Sequence, residues 1–138
     1  MSGTYSVSAS SQQGGEGHLA IFGRDVRFDA GVERDMEYPG PAELMCAALA
    51  ACLLKNVERF SKLLSFQYTS AEVNVEAERQ DKPPRFVRFK YQLEVVTQES
   101  DRRVELLHHN VREFGTVSGT LGQVAQVEGI LVARRSTE

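Results

Sequence analysis

The chain has 138 residues, of which 41% are hydrophobic and 25% charged, and its formal net charge is -3. This length suits one compact domain, so a single domain is predicted over residues 1–138. The acidic balance argues against a nucleic-acid-binding protein, which would normally carry a basic surface. The N-terminus lacks the basic and apolar segments of a signal peptide. The apolar run at residues 44–54 is about half of the roughly 20 residues that span a bilayer. We therefore expect a cytoplasmic protein without membrane contact, whose two cysteines are reduced.

The first half of the chain predicts short strands followed by one long helix. Residues 4–29 combine β-prone stretches with the polar, Gly-rich turn SSQQGGEG, which indicates a meander of strands. Residues 30–40 predict a loop, and Pro41 suits the first position of a helix. A helix is therefore predicted from Pro41 to about Leu64. Its first half is apolar all round, which predicts burial on every side.

The second half of the chain contains the clearest strand pattern. Apolar and polar side chains alternate over residues 67–80 and 85–97, which predicts an antiparallel pair with one wet face. Pro83 and Pro84 interrupt the ladder between the two strands. Acidic outer side chains of the first strand would lie opposite basic ones of the second, which favours cross-strand pairing. The predicted inward side chains are Val73, Val75, Ala77, Val87, Phe89, Tyr91, Leu93 and Val95.

The remaining elements complete an α+β order. Residues 99–115 predict an amphipathic helix with Ser100 as its N-cap and Gly115 as its stop. A short helix follows, with Thr116 as the simplest N-cap, and residues 127–133 predict a final strand. Strands, a long helix, a hairpin, a helix and a strand in this order indicate an α+β fold.

A family resemblance lies in the long predicted helix, PAELMCAALAACLLKNVERF. This segment resembles the central-helix signature of the OsmC/Ohr family of osmotically inducible and organic hydroperoxide resistance proteins. The matching positions are Pro41, Glu43, Ala50, Ala51 and Cys52. The order of elements is also similar over nearly the whole chain. The resemblance implies an OsmC-like fold, with antiparallel sheets around a long central helix, and an intertwined homodimer.

The resemblance also implies a chemistry. Characterised members of the family are thiol-dependent hydroperoxidases, and the matching position makes Cys52 the peroxidatic cysteine. The second cysteine of the family corresponds to Gly115, so it is missing here. The family glutamate directly after the proline corresponds to Ala42, and Glu43 is one residue further on. An arginine from the N-terminal meander would favour the thiolate.

Two function classes follow from these features. The first is a one-cysteine peroxidase without cofactor or metal, which reduces organic hydroperoxides or hydrogen peroxide and is restored by an external thiol. In it Glu43 would act with Arg24 or Arg27, and Arg34 lies in the loop behind them. The second is a non-enzymatic dimeric protein that binds a small apolar molecule on the same scaffold. Cys46 is expected to pack in the core, and the adjacent histidines 108 and 109 are expected at the surface or in a dimer contact.

Overall fold

The computed structural model describes residues 3–135, and they form two compact units with a boundary between Met45 and Cys46. The boundary falls inside the long helix, so each unit is described by itself. In chain order the elements are β1 (Ser8–Ser11), β2 (Glu16–Ile21), β3 (Arg24–Asp29), α1 (Pro41–Leu63), β4 (Ser70–Asp81), β5 (Pro84–Val96), α2 (Asp101–Glu113), α3 (Thr116–Leu121) and β6 (Gln126–Arg134). Both the predicted long helix and the α+β class are confirmed. The prediction of one domain over residues 1–138 stays a prediction.

The first unit is an antiparallel sheet of the order β1-β2-β3, as the meander predicts. Its first turn requires glycine, because Gly15 has φ +106° and an added Cβ would lie 2.6 Å from the Gly31 Cα. Asp29 organises the following loop, since its two carboxylate oxygens accept hydrogen bonds from the backbone N–H groups of Gly31 and Asp35, each at 2.8 Å. These bonds lower the pKa of Asp29. The loop that leads to α1 is therefore held at its base.

The second unit contains a sheet of the order β4-β5-β6. β4 and β5 pair in antiparallel register, with Val73 opposite Leu93 and Val75 opposite Tyr91. β6 runs parallel to β5, so the prediction of antiparallel sheets does not hold for this pair. The reason is the connection, because α2 and α3 carry the chain back to the end of the sheet from which β5 starts.

The predicted inward face of β4 and β5 forms the core, with one exception. Phe89, Tyr91, Leu93 and Val95 are all buried. The register shifts at Glu78 and Arg79, so Arg79 pairs with Phe86 and Val87 becomes the extra residue of a β-bulge. Phe86 therefore packs against the core in the place predicted for Val87. The ladder ends with the pair Asp81 and Pro84, and Lys82 and Pro83 form the turn between the strands, close to the predicted break.

Helix α1 contributes one buried stripe to this unit. The buried residues are Leu49, Leu53, Asn56, Val57, Phe60 and Ser61. Ala47, Ala48 and Ala51 are exposed in the single chain, so the predicted burial of the first half on every side requires a second copy and stays a prediction.

A polar network fixes the end of α1 to the start of α2. Arg103 donates from Nη2 to the carbonyl oxygens of Leu64 at 2.6 Å and Ser65 at 3.1 Å, and from Nε to Glu99 at 2.8 Å. Ser100 is the N-cap of α2, as predicted, and its hydroxyl accepts a hydrogen bond from the Arg103 N–H. The network supplies partners for carbonyl groups that a helix end leaves open.

His108 lies at the edge of the core rather than at the surface. Its Nε2 is 2.7 Å from the Tyr91 hydroxyl, and burial is the main cause that lowers the pKa of His108. The tyrosine ring lies over Gly129, where an added Cβ would approach it to 2.4 Å. His108 is therefore partly buried in the single chain, and a dimer-contact role for the two adjacent histidines stays a prediction. None of the helices in residues 3–135 combines the length and apolar character needed to cross a bilayer.

Candidate functional site

Cys52 lies on α1 beside its buried stripe, with its thiol partly buried. Helical spacing places it next to Asn56, four residues further on. Cys46 lies on the same helix and packs against the core cluster, as predicted. Six residues of helix separate the two cysteines by roughly 9 Å along the axis and about 240° around it. An intrahelical disulfide between them is therefore excluded by geometry.

The start of α3 lies against Cys52. Gly115 is buried and directly follows Phe114, the C-cap of α2, so α2 ends where the glycine was predicted to stop it. Gly115 is also the N-cap of α3, a role that was predicted for Thr116. An added Cβ at Gly115 would lie 3.1 Å from the Cys52 sulfur, 2.9 Å from the Asn56 Nδ2 and 2.4 Å from the Ser118 Oγ. A side chain at residue 115 would therefore contact the thiol, and the Asn56 and Ser118 side chains already occupy the space that it would need.

Asn56 and Ser118 form the polar lining around the thiol. The amide of Asn56 donates to the Cys52 sulfur at 3.9 Å, and Asn56 is only 7% exposed. Ser118 is also buried, and its hydroxyl donates to the Gly115 carbonyl at 3.2 Å. The thiol thus has apolar helix neighbours on one side and two buried polar side chains on the other.

Glu43 lies at the start of α1 and has two partners within the first unit. Its Oε1 accepts a hydrogen bond from the Gly40 N–H at 2.9 Å, which satisfies one open donor at the helix N-terminus. Its Oε2 is 2.6 Å from the Arg34 Nη2. The Gly40 N–H is the main cause that lowers the pKa of Glu43, and Arg34 adds to it. Glu43 is therefore a helix-capping carboxylate that also holds an arginine.

The arginine on Glu43 is Arg34 and not one of the two predicted from β3. Arg24 is exposed at the start of β3. The guanidinium of Arg27 lies over the Tyr38 ring, 4.2 Å from its centroid, a favourable cation–π distance. The Nε of Arg27 is buried, and within residues 3–135 it has no hydrogen-bond partner. A role of Arg24 or Arg27 beside Cys52 stays a prediction.

Ionisable groups elsewhere in the described residues do not assemble a metal site. Within residues 3–135 there is no group of three or more His, Cys, Asp and Glu side chains arranged to hold an ion. His18 contacts Glu16 at 2.8 Å and Asp25 at 2.9 Å, and the hydrogen bond to Glu16 is the main cause that raises its pKa. Both ring nitrogens of His18 are occupied by carboxylates, so this cluster is a surface ion pair.

One residue beside the thiol, Asn56, was missed from the sequence. It follows Lys55 and lies four residues after Cys52, and that spacing was a usable signal. The pairing of Arg34 with Glu43 had no such signal, because it depends on the path of the loop between them. In the described part of the second unit, a partly buried thiol therefore lies beside a buried amide donor, and Cys46 lies on a different side of the helix.

Comparisons with known proteins agree with this architecture. The OsmC family model, described as OsmC-like protein, matches residues 34–128. A comparison with curated proteins gives no match.

Solved structures of similar fold cover almost the entire chain. An OsmC-like protein from Mycoplasma pneumoniae has a TM-score of 0.87 at 15% identity and covers 96% of this chain and 99% of its own. An organic hydroperoxide resistance protein from Legionella pneumophila has a TM-score of 0.76 at 17% identity, and the match covers 95% of this chain and 99% of the Legionella protein. The organic hydroperoxide resistance protein OhrB of Bacillus subtilis has a TM-score of 0.62 at 20% identity, and the match covers 94% of this chain and 98% of OhrB. These likenesses show the fold.

Proposed function

Because the chain belongs to the OsmC-like protein family, we propose that it is a thiol-dependent peroxidase that reduces organic hydroperoxides or hydrogen peroxide through Cys52. Two structural relatives are named organic hydroperoxide resistance proteins. The observation that carries the proposal is the position of Gly115. The resemblance assigns it to the second family cysteine, and its Cβ position lies 3.1 Å from the Cys52 sulfur. This distance supports a peroxidatic role for Cys52 beside residue 115.

The proposed cycle uses one protein thiol. The Cys52 thiolate attacks one peroxide oxygen, the O–O bond breaks, and an alcohol or water leaves while the sulfur becomes a sulfenic acid. A small external thiol then displaces water from the sulfenic acid and forms a mixed disulfide. A second external thiol attacks that disulfide and releases reduced Cys52. The external thiol is required because residue 115 is glycine and Cys46 is out of reach on the same helix.

An arginine is expected to assist the thiolate. A positive charge within a few ångströms favours the ionised form of a thiol. Glu43 holds Arg34 in the first unit, so Arg34 joins Arg24 and Arg27 as a candidate for this role. Cycling through an external thiol requires a reducing compartment, for which we propose the cytoplasm.

A homodimer is also proposed. The exposed alanines of α1, Ala47, Ala48 and Ala51, form an apolar helix surface that a second copy could cover. This supports the intertwined dimer implied by the family, and sedimentation equilibrium would measure it. A monomer at all concentrations would contradict it.

Intact mass spectrometry before and after one equivalent of cumene hydroperoxide tests the peroxidase directly. We expect the wild type and Cys46→Ser to gain one oxygen atom, trapped by dimedone, and to consume peroxide in the presence of dithiothreitol. Cys52→Ser should do neither. Equal oxidation of the two single variants, or none in the wild type, would refute the proposal.

A second candidate is a non-enzymatic binding protein, favoured by the glycine at residue 115 and by Ala42 at the position of the family glutamate. It predicts a small apolar molecule that co-purifies and is visible by native mass spectrometry. It also predicts no sulfenic acid after peroxide treatment. Stoichiometric oxidation of Cys52 in a ligand-free protein would exclude it.

A further inference from the structure

The burial of Asn56 needs a physical reason. Its neighbours on the buried stripe of α1 are apolar, with Leu53 and Val57 fully buried and Asn56 itself only 7% exposed. A buried amide is unfavourable unless its polar atoms find partners. An apolar residue would pack at this place on the helix without that requirement. The partner of the Asn56 amide is the Cys52 sulfur, at 3.9 Å.

The surroundings keep the amide beside the sulfur. Asn56 and Cys52 are four residues apart on one helix, so their side chains share a face. From the opposite side the start of α3 closes the space, where an added Cβ at Gly115 would lie 2.9 Å from the amide nitrogen and 3.1 Å from the sulfur. Any side chain at residue 115 would therefore displace the amide, the thiol or both.

We propose that Asn56 is a positioning residue that stabilises the ionised form of Cys52 by donating its amide N–H to the sulfur, and that Gly115 preserves the space for this contact. This role of Asn56 rests on the proposed function, since a peroxidatic sulfur reacts as the thiolate. The hydrogen bond stabilises the thiolate more than the neutral thiol. A neutral thiol is a weak acceptor, whereas a thiolate carries a full charge and binds an N–H donor more strongly. The donor therefore shifts the balance toward the thiolate.

Packing alone is the competing explanation, and neutral variants without a donor separate the two. A negative charge at residue 56 would repel the thiolate under either explanation, so an aspartate is unsuitable. Leucine is close to asparagine in size and carries neither a donor nor a charge. If Asn56 only fills space, Asn56→Leu should leave the pH dependence of Cys52 reactivity almost unchanged. If Asn56 donates to the thiolate, thiolate formation in Asn56→Leu should require higher pH.

The rate of alkylation by iodoacetamide between pH 5 and 10 measures this balance. A Cys46→Ser background leaves Cys52 as the single thiol of the chain. We expect the midpoint of the rate to move up by about one pH unit in Asn56→Leu, which makes alkylation about tenfold slower below the midpoint. Asn56→Ala, which also removes the donor without adding a charge, should move it in the same direction. The matched control is Asn110→Leu, because the Asn110 amide donates to the Leu106 carbonyl on α2 and not to a thiol.

Each variant is first checked by circular dichroism and thermal unfolding, and Asn56→Ala decides the test if Asn56→Leu does not fold. Unchanged midpoints in the Asn56 variants, or an equal shift in Asn110→Leu, would overturn the inference. The proposed peroxidase activity has a separate test, because a wild type that forms no sulfenic acid would refute the activity without testing the role of Asn56. In that case a shifted midpoint would still establish the contact between Asn56 and the thiolate.

Discussion

Replacing Gly115 by cysteine should create a disulfide with Cys52. An added Cβ at residue 115 would lie 3.1 Å from the Cys52 sulfur. In a disulfide each Cβ lies about 3 Å from the sulfur across the S–S bond, given the bond length of about 2.05 Å. The position therefore meets the main geometric requirement without movement of the backbone.

The stability of the variant depends on its redox state. The new Cβ would approach the Ser118 Oγ to 2.4 Å and the Asn56 Nδ2 to 2.9 Å, so both side chains must move. Overpacking of this kind costs about 1–3 kcal/mol, and the reduced variant should be less stable than the wild type by that amount. Closing a loop of about 60 residues with a disulfide contributes about 4 kcal/mol. The oxidised variant should therefore exceed the wild type by about 1–3 kcal/mol.

Thiol titration, peptide mapping and urea unfolding with and without reductant would measure these changes in a Cys46→Ser background. Gly119→Cys is the matched control, since Gly119 lies on the same helix and an added Cβ there meets nothing within 4 Å. We expect the peptide that joins residues 52 and 115 in the first variant only. Two persistent free thiols in Gly115→Cys after oxidation, or efficient disulfide formation in the control, would refute the geometry of the site.

Three further predictions concern stability. Glu43→Gln should lower the free energy of unfolding by about 0.5–1 kcal/mol at pH 7, an amount kept small because the carboxylate is 43% exposed. The folded state lowers the pKa of Glu43, so its contribution should be present above pH 4.5 and disappear as the pH falls through the folded pKa. Arg103→Ala should cost about 1–3 kcal/mol in urea unfolding through the lost contacts at the end of α1, and the neighbouring Arg102→Ala should cost almost nothing. The folded state also lowers the pKa of His108, so stability should fall as the pH drops below 6.5. His108→Gln should weaken this dependence and His109→Gln should not, and NMR titration that finds an unshifted or raised pKa for His108 would contradict the argument.

Much of the fold was predictable because it rests on local periodicity. Alternation over residues 67–97 identified β4, β5 and their buried face, and Ser100 marked the start of α2. The bulge at Val87 was not predictable, because a one-residue register shift leaves the composition of a strand unchanged. The parallel pairing of β6 was missed for a related reason, since a strand pattern does not specify its neighbour or its direction.

In the candidate site, too, some features were predictable from the sequence and others were not. Cys52 was identified by its position in a helical motif, a property of neighbouring residues along the chain. The approach of Gly115 to its sulfur joins residues far apart in sequence, and the structure supplied the distance. The pairing of Glu43 with Arg34 rather than with Arg24 or Arg27 depends on the loop held by Asp29.

The sequence predicts the order of elements, the α+β class and the cysteine at the family position, because each depends on spacing along the chain. The surroundings of that cysteine, the Asn56 amide and the close approach of Gly115, are known from the folded chain. Periodicity indicates which face of a helix is buried. Contacts between distant segments depend on packing, and packing determines what the buried face meets.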